Sequence, residues 1–144
     1  MSRLTLILSL ALSFVTAIST QQPPEKASSS YSSIPVEAAK QANPVKSSPE
    51  SLSRARKWWG LDCAMCHGKN GDGKGELATD MKLKIADFSD PNAFKDRTDG
   101  EIFYMIKNGN QDMPPEGQRV TLRENWDLVN YVRSLSKPKI EQKP

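Results

Sequence analysis

Both cysteines and the single histidine of this 144-residue chain lie within five consecutive positions. They form the run Cys63-Ala64-Met65-Cys66-His67, a C-x-x-C-H pattern that is the attachment signature of c-type haem. Two thiols three residues apart at a helix end can each add to one vinyl group of the porphyrin. The histidine that follows then lies under the ring, where its Nε2 can bind the iron. The run therefore predicts one covalent haem, with His67 as an axial ligand.

Other uses of this run fit the sequence less well. A structural zinc site takes four protein ligands, and the chain has no further cysteine or histidine. A thioredoxin-like redox pair requires a βαβ context, of which the sequence shows no sign. A structural disulfide between Cys63 and Cys66 would leave the adjacent His67 without a role. Haem attachment is the interpretation that explains all three residues.

With no second histidine, methionine is the natural donor for the sixth coordination position of the iron. The candidates are Met65, Met81, Met105 and Met113. Met65 lies inside the attachment run, Met105 falls within a predicted helix where core filling is its expected role, and Met81 lies in irregular chain. Met113 precedes Pro114-Pro115, and a rigid proline pair suits a loop that must hold a thioether against iron. We therefore predict Met113 as the distal ligand.

The N-terminus has the features of an export signal. Arg3 precedes an apolar stretch from Leu4 to Ala17, and Ala17-Ile18-Ser19 supplies the small residues that a signal peptidase requires. The stretch is short for a membrane span, which needs about 20 apolar residues. A retained membrane anchor is the alternative. Both interpretations predict that the rest of the chain is periplasmic or otherwise exported.

Composition divides the chain into four segments. The stretch from Thr20 to Ser48 is rich in Ser, Pro, Gln, Ala and Lys and nearly lacks large apolar residues, which predicts a disordered linker. The predicted division is a signal peptide at residues 1–19, the linker at 20–48, a folded domain at 49–136 and a basic C-terminal tail at 137–144.

Three main helices are predicted within the folded domain. The first begins at Ser48-Pro49-Glu50, where an N-cap residue precedes a proline and an acid. Thr98–Glu101 and Thr121–Glu124 each have the capping-box pattern that opens a helix. Asn108-Gly109 ends the second helix and Pro138 stops the third. No strand signal is present, so the predicted fold is all-α, with a haem completing the thin core of a small domain.

From about Ser48 to Ser136 the chain resembles the class I c-type cytochromes, and the short bacterial mono-haem members more than mitochondrial cytochrome c. The matching segments are Cys63–Gly68, Gly71–Gly75, Thr98–Gly109 and Met113–Pro115. The resemblance implies a small cytochrome c fold of three main helices around one haem c. Two thioethers from Cys63 and Cys66 would hold the haem, with His67 and Met113 as ligands of its iron.

In that family the first and last helices cross at a small residue and an aromatic residue, which meet a leucine and another aromatic. The matching positions here are Ala55 and Trp59 on the first helix and Leu128 and Tyr131 on the last. The chain departs from the family at Glu76, where members commonly have a proline whose carbonyl accepts the proton of the proximal histidine. The carbonyl of Glu76 or of a neighbour is expected to take that role.

The resemblance implies an electron-transfer protein, not an enzyme, that carries single electrons as a monomer. Its expected partners are a dehydrogenase or upstream cytochrome as donor and an oxidase or reductase as acceptor. Two alternatives stay open: a haem enzyme or gas sensor with an open sixth position, and a dehydrogenase subunit tethered to the membrane by an uncleaved N-terminus. The net charge of +3 includes no basic patch interleaved with aromatic residues, so nucleic-acid binding is not expected.

Overall fold

The computed structural model describes residues 34–110 and 112–136, so the predicted signal peptide and basic tail lie outside the described residues. The α-helices are α1 (Val36–Ala39), α2 (Pro49–Trp58), α3 (Ala64–His67), α4 (Glu76–Asp80), α5 (Asp99–Asn108) and α6 (Leu122–Leu135). A π-helical turn at Trp59–Cys63 joins α2 to α3. Every element of the described chain is helical. This confirms the all-α prediction, with α2, α5 and α6 as the three main helices.

The N-termini of the main helices are capped as the sequence predicts. Ser48 caps α2 by accepting a hydrogen bond from a backbone amide of the first turn. At α5 the Thr98 side chain accepts from the Glu101 amide while the Glu101 carboxylate accepts from the Thr98 amide. Thr121 and Glu124 form the same reciprocal pair at α6. These caps satisfy amides that would otherwise have no partner at a helix start.

The core lies where α2 and α6 pack together. Ala55 and Val129 are fully buried, and the ring centroids of Trp59 and Tyr131 lie 5.5 Å apart. Leu128 joins the same buried cluster. A small residue on α2 allows the two backbones to approach closely, while the aromatic pair contributes much of the buried area. The arrangement agrees with the helix crossing that the resemblance implies.

An ion pair extends the contact between α2 and α6. Arg54 donates from Nε and Nη2 to the two carboxylate oxygens of Asp127, at 2.7 and 2.9 Å. The Asp127 side chain is fully buried, so a bidentate partner is needed to offset its loss of hydration. Trp58 Nε1 donates to Glu124 Oε1 at 3.0 Å one turn further along. These polar contacts fix the register of the two helices.

The predicted linker differs from the structure in its last part. Residues 34–48, here called the strap, contain α1 and pack against α5 and α6. Asn43 Nδ2 donates to the Trp126 carbonyl and to Asn130 Oδ1, while Asn130 Nδ2 donates to the Val45 carbonyl. The prediction of disorder rested on low apolar content, whereas residues 34–48 contain a helix and side-chain hydrogen bonds. Side-chain amides satisfy the strap backbone, and Val45 packs against the core.

A glycine in α5 allows the strap to dock. A Cβ on Gly100 would collide with the carbonyl oxygen of Ala38 and lie 3.0 Å from that of Ala39. We expect Gly100→Ala to displace the strap and to destabilise the domain by about 1–3 kcal/mol through overpacking. Hydrogen exchange should show faster exchange of the strap amides.

Gly60→Ala is the matched control, because no heavy atom lies within 4 Å of a Cβ at that position. Alanine there should be neutral or stabilising by up to about 1 kcal/mol, since glycine is a poor helix former. If Gly100→Ala and Gly60→Ala give the same exchange rates in the strap, Gly100 does not control its docking.

The crossing of α2 and α6 gives a second prediction. Ala55→Leu should force the helices apart and lower the free energy of unfolding by about 1–3 kcal/mol, the usual cost of overpacking. Ser53→Leu is a similar enlargement at an exposed position of α2 and should have little effect. Thermal melts of the two variants measure the difference. Equal melting temperatures would show that Ala55 is not at a close contact.

Candidate haem site

Cys63, Cys66 and His67 lie on one continuous helical segment. α2 passes into the π-helical turn, which ends at Cys63, and α3 then carries Cys66 and His67. The Gly68 amide donates to the Ala64 carbonyl at 2.9 Å and closes the last turn directly after the histidine. π-Helical turns inside α-helices occur frequently at functional sites. The segment therefore presents both cysteines and the histidine from one rigid element.

A glycine-rich loop folds back onto the end of α3. The Gly73 amide donates to the His67 carbonyl at 2.8 Å, and the Gly75 amide donates to the Cys66 carbonyl at 3.1 Å. A Cβ on Gly75 would collide with the carbonyl oxygen of Met65, so only glycine permits this approach. The loop satisfies the last carbonyls of α3 and holds the attachment segment in place.

The His67 ring lies between two aromatic side chains. It stacks on Phe88 with ring centroids 4.8 Å apart and an interplanar angle of 24°. Trp59 lies at 5.7 Å with an angle of 38°. Burial lowers the pKa of His67, which favours the neutral imidazole. The neutral form has the free lone pair that binds a metal.

The acceptor expected for the second nitrogen of His67 is not found. Nδ1 is buried and has no hydrogen-bond partner within the described residues. The Gly75 carbonyl accepts from both the amide and the hydroxyl of Thr79, because α4 begins there. The expectation that Glu76 or a neighbour would accept this proton is therefore not met. Aromatic stacking orients the ring in its place.

The surroundings of Cys63 disfavour a thiolate. Burial, together with the nearby carboxylates of Glu116 and Asp62, raises the pKa of its thiol to about 12. Metal–thiolate sites need the deprotonated sulfur, and no group of three or more His, Cys, Asp or Glu able to hold a metal ion occurs in the described ranges. A thioether carries no charge, so burial does not disfavour it. The two cysteines, which form no disulfide, fit a covalently attached haem.

Met113 lies in the loop between α5 and α6. Asn110 makes two hydrogen bonds to it, each 2.8 Å long. The Asn110 amide donates to the Met113 carbonyl, and Asn110 Oδ1 accepts from the Met113 amide. Met113 is half-buried and packs against the same buried cluster that Cys63 and Ala64 contact. The loop thus brings Met113 and the attachment segment to one core.

The other methionines differ in exposure. Met65 is 51% exposed and Met81 59% exposed, so both side chains extend largely into solvent. Met105 is half-buried on α5 and packs against the same cluster as Met113. A core-filling role for Met105 agrees with its position within a helix.

Several residues near the site were not anticipated from the sequence. They are Phe88 against the histidine ring, and three charged residues, Asp62, Glu116 and Arg119, that form ion pairs next to Cys63. Phe88 lies in irregular chain, where no periodicity identifies a buried face. Glu116 and Arg119 lie three residues apart, but Asp62 is more than fifty positions away, and no spacing rule connects it to them.

Comparisons with known proteins agree on one family. The family model described as cytochrome c matches residues 52–136, which contain every candidate site residue. No curated protein matches the chain.

Two solved structures have the same fold. A chain of the reducing HAO-like protein complex of Kuenenia stuttgartiensis is 23% identical, with a TM-score of 0.57 over 65% of this chain. The match spans only 47% of that chain. The KustC0563 c-type cytochrome is 27% identical, with a TM-score of 0.52 over 58% of this chain and 98% of its own.

These matches confirm the predicted cytochrome c fold and explain why two cysteines and a histidine share one helical segment. Proteins of this kind bind haem covalently and transfer electrons. The chain belongs to the cytochrome c family.

Proposed function

We propose that this protein is a mono-haem electron carrier whose iron is bound by His67 and Met113, and that it catalyses no reaction of its own. The observation that carries the proposal is the shared buried cluster: Cys63 from the attachment segment and Met113 from the distal loop both pack against it. Met105 contacts the same cluster, but it lies within α5 as a core-filling side chain, whereas Met113 lies in a loop directly before two prolines. Met65 and Met81 are less suitable donors because they are largely exposed.

The chain's own residues suit this role. When bound, the haem supplies the iron that gains and loses one electron. His67 is held between aromatic rings as a neutral imidazole, and the Met113 thioether is also neutral. Because both donors are neutral, the net charge at the iron would come from the haem itself. Both side chains are half-buried, and a methionine ligand raises the reduction potential relative to other ligand sets.

The expected location and partners follow from the same proposal. We propose that the protein acts in the periplasm or an equivalent exported compartment, between a dehydrogenase or upstream cytochrome and an oxidase or reductase. Within residues 34–110 and 112–136, no helix is both long and apolar enough to cross a membrane. An electron carrier meets its partners through small, transient interfaces, which suits a monomer.

The first test concerns covalent attachment. Cys63→Ala combined with Cys66→Ala should abolish it, and the denatured protein should lose the added mass of the haem. The remaining chain should melt without cooperativity, because so small a domain depends on the haem for much of its core.

Cys66→Ala alone is the matched control and should keep the haem through the single remaining thioether. Covalent haem in the double variant would contradict the attachment site. A double variant that melts cooperatively would show that the haem is not needed for folding.

The second test concerns the distal ligand. Met113→Ala should remove the absorption band that reports iron–sulfur ligation and should lower the reduction potential, since axial-ligand identity sets haem potentials over a range of about 0.8 V. Cyanide and carbon monoxide should then bind readily, because the sixth position is open.

Met81→Ala and Met105→Ala are the controls for this variant and should keep the iron–sulfur band. Loss of the band in either control, with retention in Met113→Ala, would reassign the distal ligand. A band unchanged in all three variants would show that another sulfur donor, such as Met65, binds the iron, whereas absence of the band from the unmodified holoprotein would favour an enzyme or sensor with an open sixth position.

A further inference from the structure

An ion pair connects the loop that carries Met113 to the segment that carries the cysteines. Arg119, six residues after Met113, donates from Nη2 to Asp62 Oδ1 at 2.7 Å. Asp62 is the residue immediately before Cys63 and the fourth residue of the π-helical turn. The contact joins positions 57 residues apart in sequence.

Two largely buried carboxylates share one arginine, whose own side chain is 55% exposed. Arg119 Nη1 lies 3.7 Å from Glu116 Oε1. The side chains of Asp62 and Glu116 are 12% and 6% exposed. Each has one buried oxygen, Oδ2 of Asp62 and Oε2 of Glu116, without a hydrogen-bond partner among the residues described. Charged groups so placed need a nearby opposite charge, which Arg119 provides.

Asp62, Glu116 and Arg119 form a charged cluster whose acidic and basic members shift nearby pKa values in opposite directions. Burial raises the pKa of Glu116 and Asp62 raises it further, while Arg119 lowers it. The cluster also influences Cys63, whose pKa the two carboxylates raise and Arg119 lowers. Removing the arginine would therefore leave two carboxylates facing each other beside the attachment sulfur. Proton uptake, water entry or movement of the loop would have to relieve that repulsion.

Two backbone hydrogen bonds attach this part of the loop to α5. The Glu116 amide donates to the Ile106 carbonyl and the Gly117 amide to the Lys107 carbonyl, each at 3.0 Å. These bonds fix the loop to the C-terminal end of α5. They do not reach the attachment segment, whereas the Arg119–Asp62 pair does. The pair is therefore placed to set the separation between the Met113 loop and Cys63.

We propose that Arg119 is a positioning residue that latches the Met113 loop to the attachment segment and so controls how readily an external ligand displaces Met113 from the iron. This inference rests on the proposed function, because it requires Met113 to be the distal ligand. Arg119 itself touches neither the iron nor its ligands in this role. It acts by limiting the movement of the loop.

Imidazole titration of the ferric holoprotein tests the latch. The titration follows the loss of the iron–sulfur absorption band, so its midpoint reports displacement of the methionine. Arg119→Gln should lower that midpoint roughly tenfold, the effect expected for loss of a charge-assisted hydrogen bond. Arg119→Lys keeps a cation near both carboxylates and should stay closer to the unmodified protein than Arg119→Gln does.

Three further variants separate the latch from general loss of stability. Asp62→Asn breaks the same pair but removes one of the two carboxylates, so it should lower the midpoint by no more than Arg119→Gln does, and adding it to Arg119→Gln should lower the midpoint no further. Glu116→Gln leaves the 2.7 Å contact intact and should keep the original midpoint. Arg123→Gln removes an exposed arginine from the first turn of α6 and should also have no effect.

The possible outcomes test the role of Arg119 separately from the assignment of Met113 as the distal ligand. If the iron–sulfur band is present and both Arg119→Gln and Asp62→Asn keep the original midpoint, the latch is wrong while Met113 ligation stands. If the unmodified holoprotein has no such band, the proposed function fails before the latch is tested. Should Arg119→Gln yield no holoprotein, the midpoints of Asp62→Asn and Arg119→Lys decide the question in the same way.

Discussion

The close contact between α2 and α6 at Ala55 is the interaction on which the rest of the structure depends. It fixes the direction of α2, and the π-helical turn and α3 continue from that helix with both cysteines and His67. It also fixes α6, which follows directly after the loop that carries Met113. One helix pair therefore positions both the attachment segment and the loop of Met113, the distal ligand that we propose.

Around the site, burial favours neutral groups at the centre and leaves charges at the edge. His67 is favoured as a neutral imidazole and Cys63 as an uncharged sulfur, both because burial penalises their charged forms. The carboxylates of Asp62 and Glu116 lie next to this region and depend on Arg119. Burial and low dielectric are among the factors that set a haem's reduction potential, so these neutral surroundings would themselves act on the potential of a bound haem.

The sequence predicted the helices well because their signals are local. The N-caps at Ser48, Thr98 and Thr121 all form, since each needs only residues within one turn. The attachment residues are adjacent in sequence and share one segment for the same reason. The strap and Phe88 could not be predicted in this way. Their burial depends on partners that tertiary folding brings close, and composition does not identify those partners.

The π-helical turn and the C-x-x-C-H run determine different properties of the site. The C-x-x-C-H run specifies which atoms bond the porphyrin, but the turn from Trp59 to Cys63 sets the angle at which those atoms leave the core. An α-helix advances about 100° per residue. The π-helical turn holds one more residue per hydrogen-bonded turn than an α-helix does, because its bonds run from i to i+5. Deleting one of its residues would therefore restore α-helical winding with the motif intact, and the cysteines would rotate relative to Ala55 by less than one α-helical step. The turn thus accommodates an extra residue while the attachment residues stay on nearly the same face of the segment.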